Sequence, residues 1–347
     1  MFSTKFGIEI EFTGLTRNQS AKLVAGILNG TVEYIGGTYD TYLVHTENRT
    51  WKLMYDSSIV CQRKKDGMMI RAGKSYSVEL VSPILTYYDD IALLQKIVRK
   101  LRKSGGITNQ SCGIHVHLDG EPHTPRSLWN FINLVASRND LFYKAFRIPP
   151  ARRQYYKKMD EYLVKSLNEK KPATMKELET IWYAGYNEKR SRHYHNSRYH
   201  FLNLHSFFHG NHTVELRGFN SELHAGKVRA YIVFSLAINH QALTQKYARY
   251  HKVQEENERF AMRVYLVRIG LSGDEFKAPR MHLYQHLSGC AAWRYGSKEN
   301  CRSRIKPKKS ITNNSSSASP PTETNEFLLI EDENLALLNE SDDELPF

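Results

Sequence analysis

Four apolar stretches carry acidic or imidazole side chains two residues apart, or a single acid flanked by apolar residues. They are Phe6-Gly7-Ile8-Glu9-Ile10-Glu11-Phe12, Ser77-Val78-Glu79-Leu80-Val81, Cys112-Gly113-Ile114-His115-Val116-His117-Leu118 and Val214-Glu215-Leu216-Arg217-Gly218-Phe219. Successive side chains of a strand point to opposite faces. As strands, these stretches therefore show Glu9 with Glu11, His115 with His117, and Glu215 with Arg217 on one face, and aliphatic residues on the other. Any one of them also reads as an ordinary strand with a solvated polar face. Four of them together suggest more, because carboxylates gathered on one face repel one another and are costly to bury without partners. Divalent cations relieve that repulsion. An oxygen-rich set with an occasional imidazole suits Mg²⁺ or Mn²⁺, and paired imidazoles can also face a phosphate.

The elements that must position these groups are legible from periodicity. Asn18 to Leu28 has a helical apolar stripe, with Ser20 as a candidate cap and Gly30 as a stop. Thr31 to Leu80 reads as strands separated by turn signals at Gly36-Gly37, Asp56-Ser57-Ser58, Asp66-Gly67 and Gly73. Asp89 to Lys103 is an amphipathic helix with acids at its start and bases at its end. Thr124-Pro125 opens another, running to about Phe146. Tyr199 to Phe207 and Thr213 to Phe219 have strand character, and Lys227 to about Arg249 is a long helix. Two more helices are expected over Gln254 to Ile269 and Asp274 to Leu287. Between them, residues 147–198 look like a basic, mostly helical insertion crowded with Lys, Arg and Tyr. Its basic and aromatic residues could stack bases and neutralise phosphates, but the simpler expectation is a solvated helical lid.

Composition narrows the class. The 347 residues suffice for one large domain, and no apolar run is long enough to span a bilayer. The four cysteines, Cys61, Cys112, Cys290 and Cys301, are scattered without a CxxC pair. That argues against a zinc ribbon or a disulfide framework and, with no signal-peptide pattern, for the cytoplasm. The net charge is +13, yet all nine charged residues after Ser310 are acidic, so the rest of the chain is more basic still. Such a body suits anionic partners, nucleic acid or another polyanion included. The division expected is a catalytic body over residues 1–305, then a Ser/Pro-rich disordered linker and acidic tail over 306–347. The tail carries apolar anchors at Phe327, Leu328, Leu329 and Ile330, and it could dock on the body or on a partner protein. Neither a GxxxxGK[ST] loop nor a strand-linked GxGxxG occurs, and no GxSxG elbow is present.

Six blocks then occur in order: Gly7 to Phe12, Tyr55-Asp56-Ser57-Ser58, Val78 to Leu85, Cys112 to Leu118, Arg198-Tyr199 with Asn203-Leu204, and Thr213 to Arg217. The ordered set resembles the amidoligase family of carboxylate–amine ligases, relatives of glutamine synthetase and glutamate–cysteine ligase. The resemblance implies an α+β fold: a curved antiparallel sheet, a glutamine synthetase-like half-barrel, backed by helices. It implies ATP and Mg²⁺ or Mn²⁺ as cofactors, with Glu9, Glu11, Glu79, His115 and Glu215 as metal ligands and His117 and Arg217 approaching the ATP phosphates. Arg198 and Asn203 would contact substrate or nucleotide, and Asp56 would orient the amine or act as base. The implied reaction phosphorylates a carboxylate to an acyl phosphate, which an amine on a small molecule, a peptide or a modified nucleobase then attacks. Two other readings fit the same residues: a metal-dependent hydrolase or nuclease, and a nucleic-acid-binding protein with a degenerate site.

Overall fold

The computed structural model describes residues 1–303, and the expected linker and acidic tail lie outside the described residues. The first half of the chain runs β1 (Phe6–Phe12), α1 (Arg17–Leu28), β2 (Thr31–Gly36), β3 (Thr41–His45), β4 (Thr50–Met54), β5 (Gln62–Lys65), β6 (Met68–Arg71), β7 (Val78–Val81), α2 (Tyr87–Lys103), β8 (Gly113–Asp119), α3 (Pro125–Ala136) and α4 (Asn139–Ala145). The second half runs α5 (Glu161–Lys170), α6 (Met175–Trp182), β9 (Leu202–Asn203), α7 (His205–His209), β10 (Thr213–Asn220), α8 (Ala225–Thr244), α9 (Glu258–Arg268), α10 (Lys277–Tyr284) and α11 (Lys298–Ser303).

Eight strands form one open antiparallel sheet in the order β2-β3-β4-β7-β1-β8-β10-β9, while β5 and β6 make a separate hairpin. The α+β class expected from the sequence is the one observed. The order matters more than the class. The four strands with polar stripes, β7, β1, β8 and β10, are neighbours at the centre although they come from distant parts of the chain. Alternation sorts their residues: Ile8, Ile10, Phe12, Val78, Leu80, Ile114, Val116, Leu118, Val214 and Leu216 are all buried in the core. Helix α8 lies against β8 on this side, with α2, α3 and α10 packed on it. That position explains its sequence. From Ala230 to Asn239 every residue is buried, as expected of a helix covered on all sides rather than one showing a face to water.

Local details correct several expected boundaries. Helix α1 is capped by Thr16 in a reciprocal box with Gln19, not by Ser20, and the left-handed Asn29, not Gly30, ends it. The run from Pro125 to Phe146 breaks at Ser137 and Arg138 into α3 and α4. Only Leu202 and Asn203 of the stretch Tyr199–Phe207 are strand, because His205–His209 turns into a short helix. The insertion is not a solvated lid. Leu163, Val164, Leu167, Leu178, Ile181 and Trp182 are buried, and Asn168 exchanges amide hydrogen bonds with Asn133 of α3 at 2.9 and 3.0 Å. Its basic residues pointed to solvent, but the apolar spacing between them decides where its helices lie.

Candidate active site

Register turns the separate stripes into one row. Glu11 pairs with Glu79 across β1–β7, Glu9 with His115 across β1–β8, Glu215 with His117 across β10–β8, and Glu215 with Asn203 across β10–β9. Directly opposed residues on one face lie within about 5 Å. The side chains accordingly meet. His115 Nδ1 is 2.7 Å from Glu9 Oε2, and its Nε2 is 3.8 Å from Glu11 Oε1. His117 Nε2 is 3.1 Å from Glu9 Oε1, and its Nδ1 is 3.1 Å from the Thr213 hydroxyl. Arg217 Nη1 donates to Glu215 Oε1 at 2.6 Å.

Arg217 shares the face of Glu215 by alternation, and a β-bulge ends that face directly after Leu216. Between Leu216 and Phe219 strand β10 has one residue more than β8 opposite it, and such a bulge re-aims side chains. Strict alternation would set Phe219 beside Glu215; the bulge returns it to the core, where it stacks on Tyr231 at 4.7 Å. Gly218 leaves room for the Phe201 ring beside the bulge, since a Cβ there would collide with it.

Electrostatics divide the row. Burial raises Glu11 above the usual carboxylate range despite His115 and Arg152 nearby. Burial raises Glu79 further, reinforced by Glu9, Glu11 and Asp56. At the other end burial is outweighed. The His117 and His115 imidazoles hold Glu9 well below its usual value, and Arg217 and His117 bring Glu215 to about 2. Glu9 and Glu215 raise His117 to about 9 against the effect of burial.

Among the described residues, three overlapping triads have ligand atoms close enough to share an ion: Glu9–Glu79–His115, Glu9–His117–Glu215 and Glu11–Asp56–Glu79. His115 Nε2 is buried without a hydrogen-bond partner, which is the condition of an imidazole nitrogen available to a cation, whereas His117 Nε2 already faces Glu9 Oε1 at 3.1 Å. The donor set is carboxylate-rich with single imidazoles, so the residues present fit Mg²⁺ or Mn²⁺. The geometry also brings His117 and Asp56 into metal-competent triads, whereas the resemblance had given them phosphate and base roles.

Two cavities flank the row. One, of about 550 Å³, is lined by Glu9 and His117 together with Ile8, Val81, Pro83 and Ile84. The other, of about 500 Å³, is lined by Glu11, Asp56, Arg152, Tyr156, Arg198 and Arg217 among others. Arg198 thus sits at a cavity wall, with its guanidinium 5.2 Å from the Tyr194 ring centre. Asn203 instead braces the row from behind. Its buried amide donates to Glu215 Oε2 at 2.6 Å, and its carbonyl oxygen accepts from the His205 amide. The Cys112 thiol is buried and raised to about 11, so it is unreactive.

Residues 3–239 match the family described as "Putative amidoligase enzyme". The chain belongs to this amidoligase family. No curated protein matches it in sequence. The match spans every strand of the row and the whole insertion. Sequence reasoning missed the role of Arg152. It counted Arg152 among the basic residues of the insertion, but the side chain is only 6 % exposed and its Nη2 lies 3.4 Å from Glu11 Oε2. Pro149-Pro150, which fix the turn before it, were the available signal.

Proposed function

We propose that this amidoligase is an ATP- and divalent-metal-dependent carboxylate–amine ligase that works through an acyl phosphate. The observation that carries the reading is the row itself: four carboxylates and two imidazoles drawn from four adjacent strands, in an amidoligase, with an arginine at one side. Glu9, Glu11, Glu79, His115 and Glu215 would hold Mg²⁺ or Mn²⁺, with Asp56 and His117 within reach. Such ions, when bound, neutralise phosphate charge during phosphoryl transfer.

The remaining roles fall to the protein's own groups. A carboxylate oxygen is a poor leaving group, so the acid first attacks the γ-phosphorus of ATP, giving an acyl phosphate and ADP. The amine then adds to the acyl carbon, phosphate leaves, and the amine's proton goes to a carboxylate. Asp56, on the wall of the second cavity, suits that proton transfer. Arg217 keeps one nitrogen on Glu215, while its buried Nε has no partner. That nitrogen suits an oxygen of the transferring group. Asn203 and Thr213 hold Glu215 and His117 in place. The first cavity, with aliphatic walls, suits the nucleotide, and the second, rich in arginine and tyrosine, suits the acid and amine.

The test uses ATP, Mg²⁺ and mixtures of acids and amines, followed by mass spectrometry. ADP should appear in step with a new amide and only when both substrates are present. Oxygen-18 placed in the acid's carboxylate should be recovered in the released phosphate. Amide formation without that transfer would end the acyl-phosphate mechanism. Metal-dependent hydrolysis that needs no ATP would favour the hydrolase reading instead.

A further inference from the structure

The cavity on the Glu11 side has a floor that the row alone does not supply. Arg152 and Tyr156 come from the insertion and are almost wholly enclosed, at 6 % and 2 % exposure. Both keep a polar atom without a partner: Arg152 Nη1 and Tyr156 Oη. The guanidinium lies 4.5 Å from the Tyr156 ring centre, which fixes its plane. Both residues press on the start of β8. A Cβ on Gly113 would fall 2.6 Å from Tyr156 Oη and 2.8 and 2.9 Å from the Arg152 nitrogens. Glycine there is what lets them close against the strand.

A guanidinium donates five N–H groups in a fixed fork that matches a carboxylate. Arg152 gives Glu11 only one long contact, at 3.4 Å, to an oxygen that already accepts from the Gly113 amide at 2.6 Å. A buried cation with an idle nitrogen, next to an idle phenol, in a cavity of about 500 Å³, calls for an anion.

We propose that Arg152 and Tyr156 form the recognition site for the carboxylate of the acid substrate, so that the insertion selects the acid. The acid is a small organic carboxylate whose chain lies among the tyrosines of this cavity. Phosphate shares the anionic chemistry, but ATP is assigned to the other side of the row, and the two sources separate by experiment. The proposal rests on the ligase reading in naming the ligand a substrate; the binding itself requires no turnover.

The experiment is isothermal titration calorimetry of the full chain with acetate, glutarate, inorganic phosphate and Mg²⁺–ATP. Wild-type protein should bind glutarate or acetate saturably. Arg152→Met should weaken that binding by about tenfold or more, with Arg152→Lys between the two, and should leave Mg²⁺–ATP within about twofold. Tyr156→Phe, which keeps every charge, should lose a few-fold. Gly113→Ala should lose as much as Tyr156→Phe or more, because it moves both groups and also changes no charge. Lys165→Met, the loss of an exposed charge on α5, should change nothing. Failure of both acids to saturate the wild-type protein overturns the proposal. So does a loss of Mg²⁺–ATP binding in Arg152→Met equal to the loss for the acid, which would make Arg152 a nucleotide ligand. Should Arg152→Met not fold, Tyr156→Phe binding both acids as wild type does would also overturn it. Failure of the ligase reading would show separately, as acids that bind normally but yield no amide with ATP and an amine.

Discussion

The two halves of the polar row face the same way on one sheet, yet they balance charge differently. The half made of Glu9, His117, Glu215 and Arg217 is compensated from within. Its carboxylates lie below their usual range and its imidazole well above. In the half made of Glu11, Glu79 and Asp56, Arg152 and His115 stand beside Glu11 but do not offset burial, which with the neighbouring carboxylates pushes Glu11 and Glu79 up. The difference teaches that a carboxylate can stand in a buried row for two reasons: because a protein cation holds it, or because a cation from solution is to be held by it. Only the second kind destabilises the protein when no ion is bound.

Replacing the held carboxylate should have the largest effect. Glu215→Gln leaves buried Arg217 without its counter-charge, and losing one member of such a pair costs about 3–5 kcal/mol. The melting temperature should drop by roughly 10 °C, at about 2–4 °C per kcal/mol, and turnover should vanish. A melting temperature equal to wild type would remove the distinction between the halves. Asn203→Ala comes next. It deletes a buried hydrogen bond to the same carboxylate, worth about 1.5–3 kcal/mol, and should lower kcat more than it raises KM for ATP.

The uncompensated half predicts the opposite sign. In protein stripped of metal by a chelator, Glu79→Gln should raise the melting temperature by a few degrees while abolishing turnover. It should also reduce the stabilisation that added Mg²⁺ gives the wild type. A lower melting temperature for Glu79→Gln would break the comparison from that side.

Proton linkage gives the most diagnostic effect. His117 has a folded pKa of about 9 against an ordinary 6.5, so its contribution is complete below about 6.5 and is lost as pH rises toward 9. Glu215, at about 2 when folded against 4.5, contributes above about 4.5 and loses that contribution as pH falls toward 2. Raised Glu79 adds a loss of stability as pH climbs above 4.5. Chelator-treated protein should therefore be most stable near pH 5 to 6, in the window between those values. His117→Asn should flatten the decline between about 6.5 and 9, as read from melting curves at each pH. An unchanged slope would show that His117 is not the group titrating there.

Much of this was open to a reader of the sequence, and for a simple reason. The two-residue period of a strand is a local property, so Glu9 with Glu11, His115 with His117, and the apolar faces behind them follow from the spacing. So does the mixed α+β class. Other residues were not open in this way. Arg152 is one basic residue among many in 147–198, and nothing in its neighbours says that it turns inward to Glu11. Asn203 looked like a ligand contact, but its strand pairs with β10 and gives its amide to Glu215. The bulge at Gly218 breaks the alternation that a one-dimensional reading assumes.

By itself, the order of residues settled which groups share a face, since that depends only on backbone geometry within each strand. Tertiary structure alone decided that β7, β1, β8 and β10 lie side by side, and hence that distant acids repel, pair or await a cation. Those outcomes depend on distance and burial, which arise only when the helices cover the apolar face and fix the strand order.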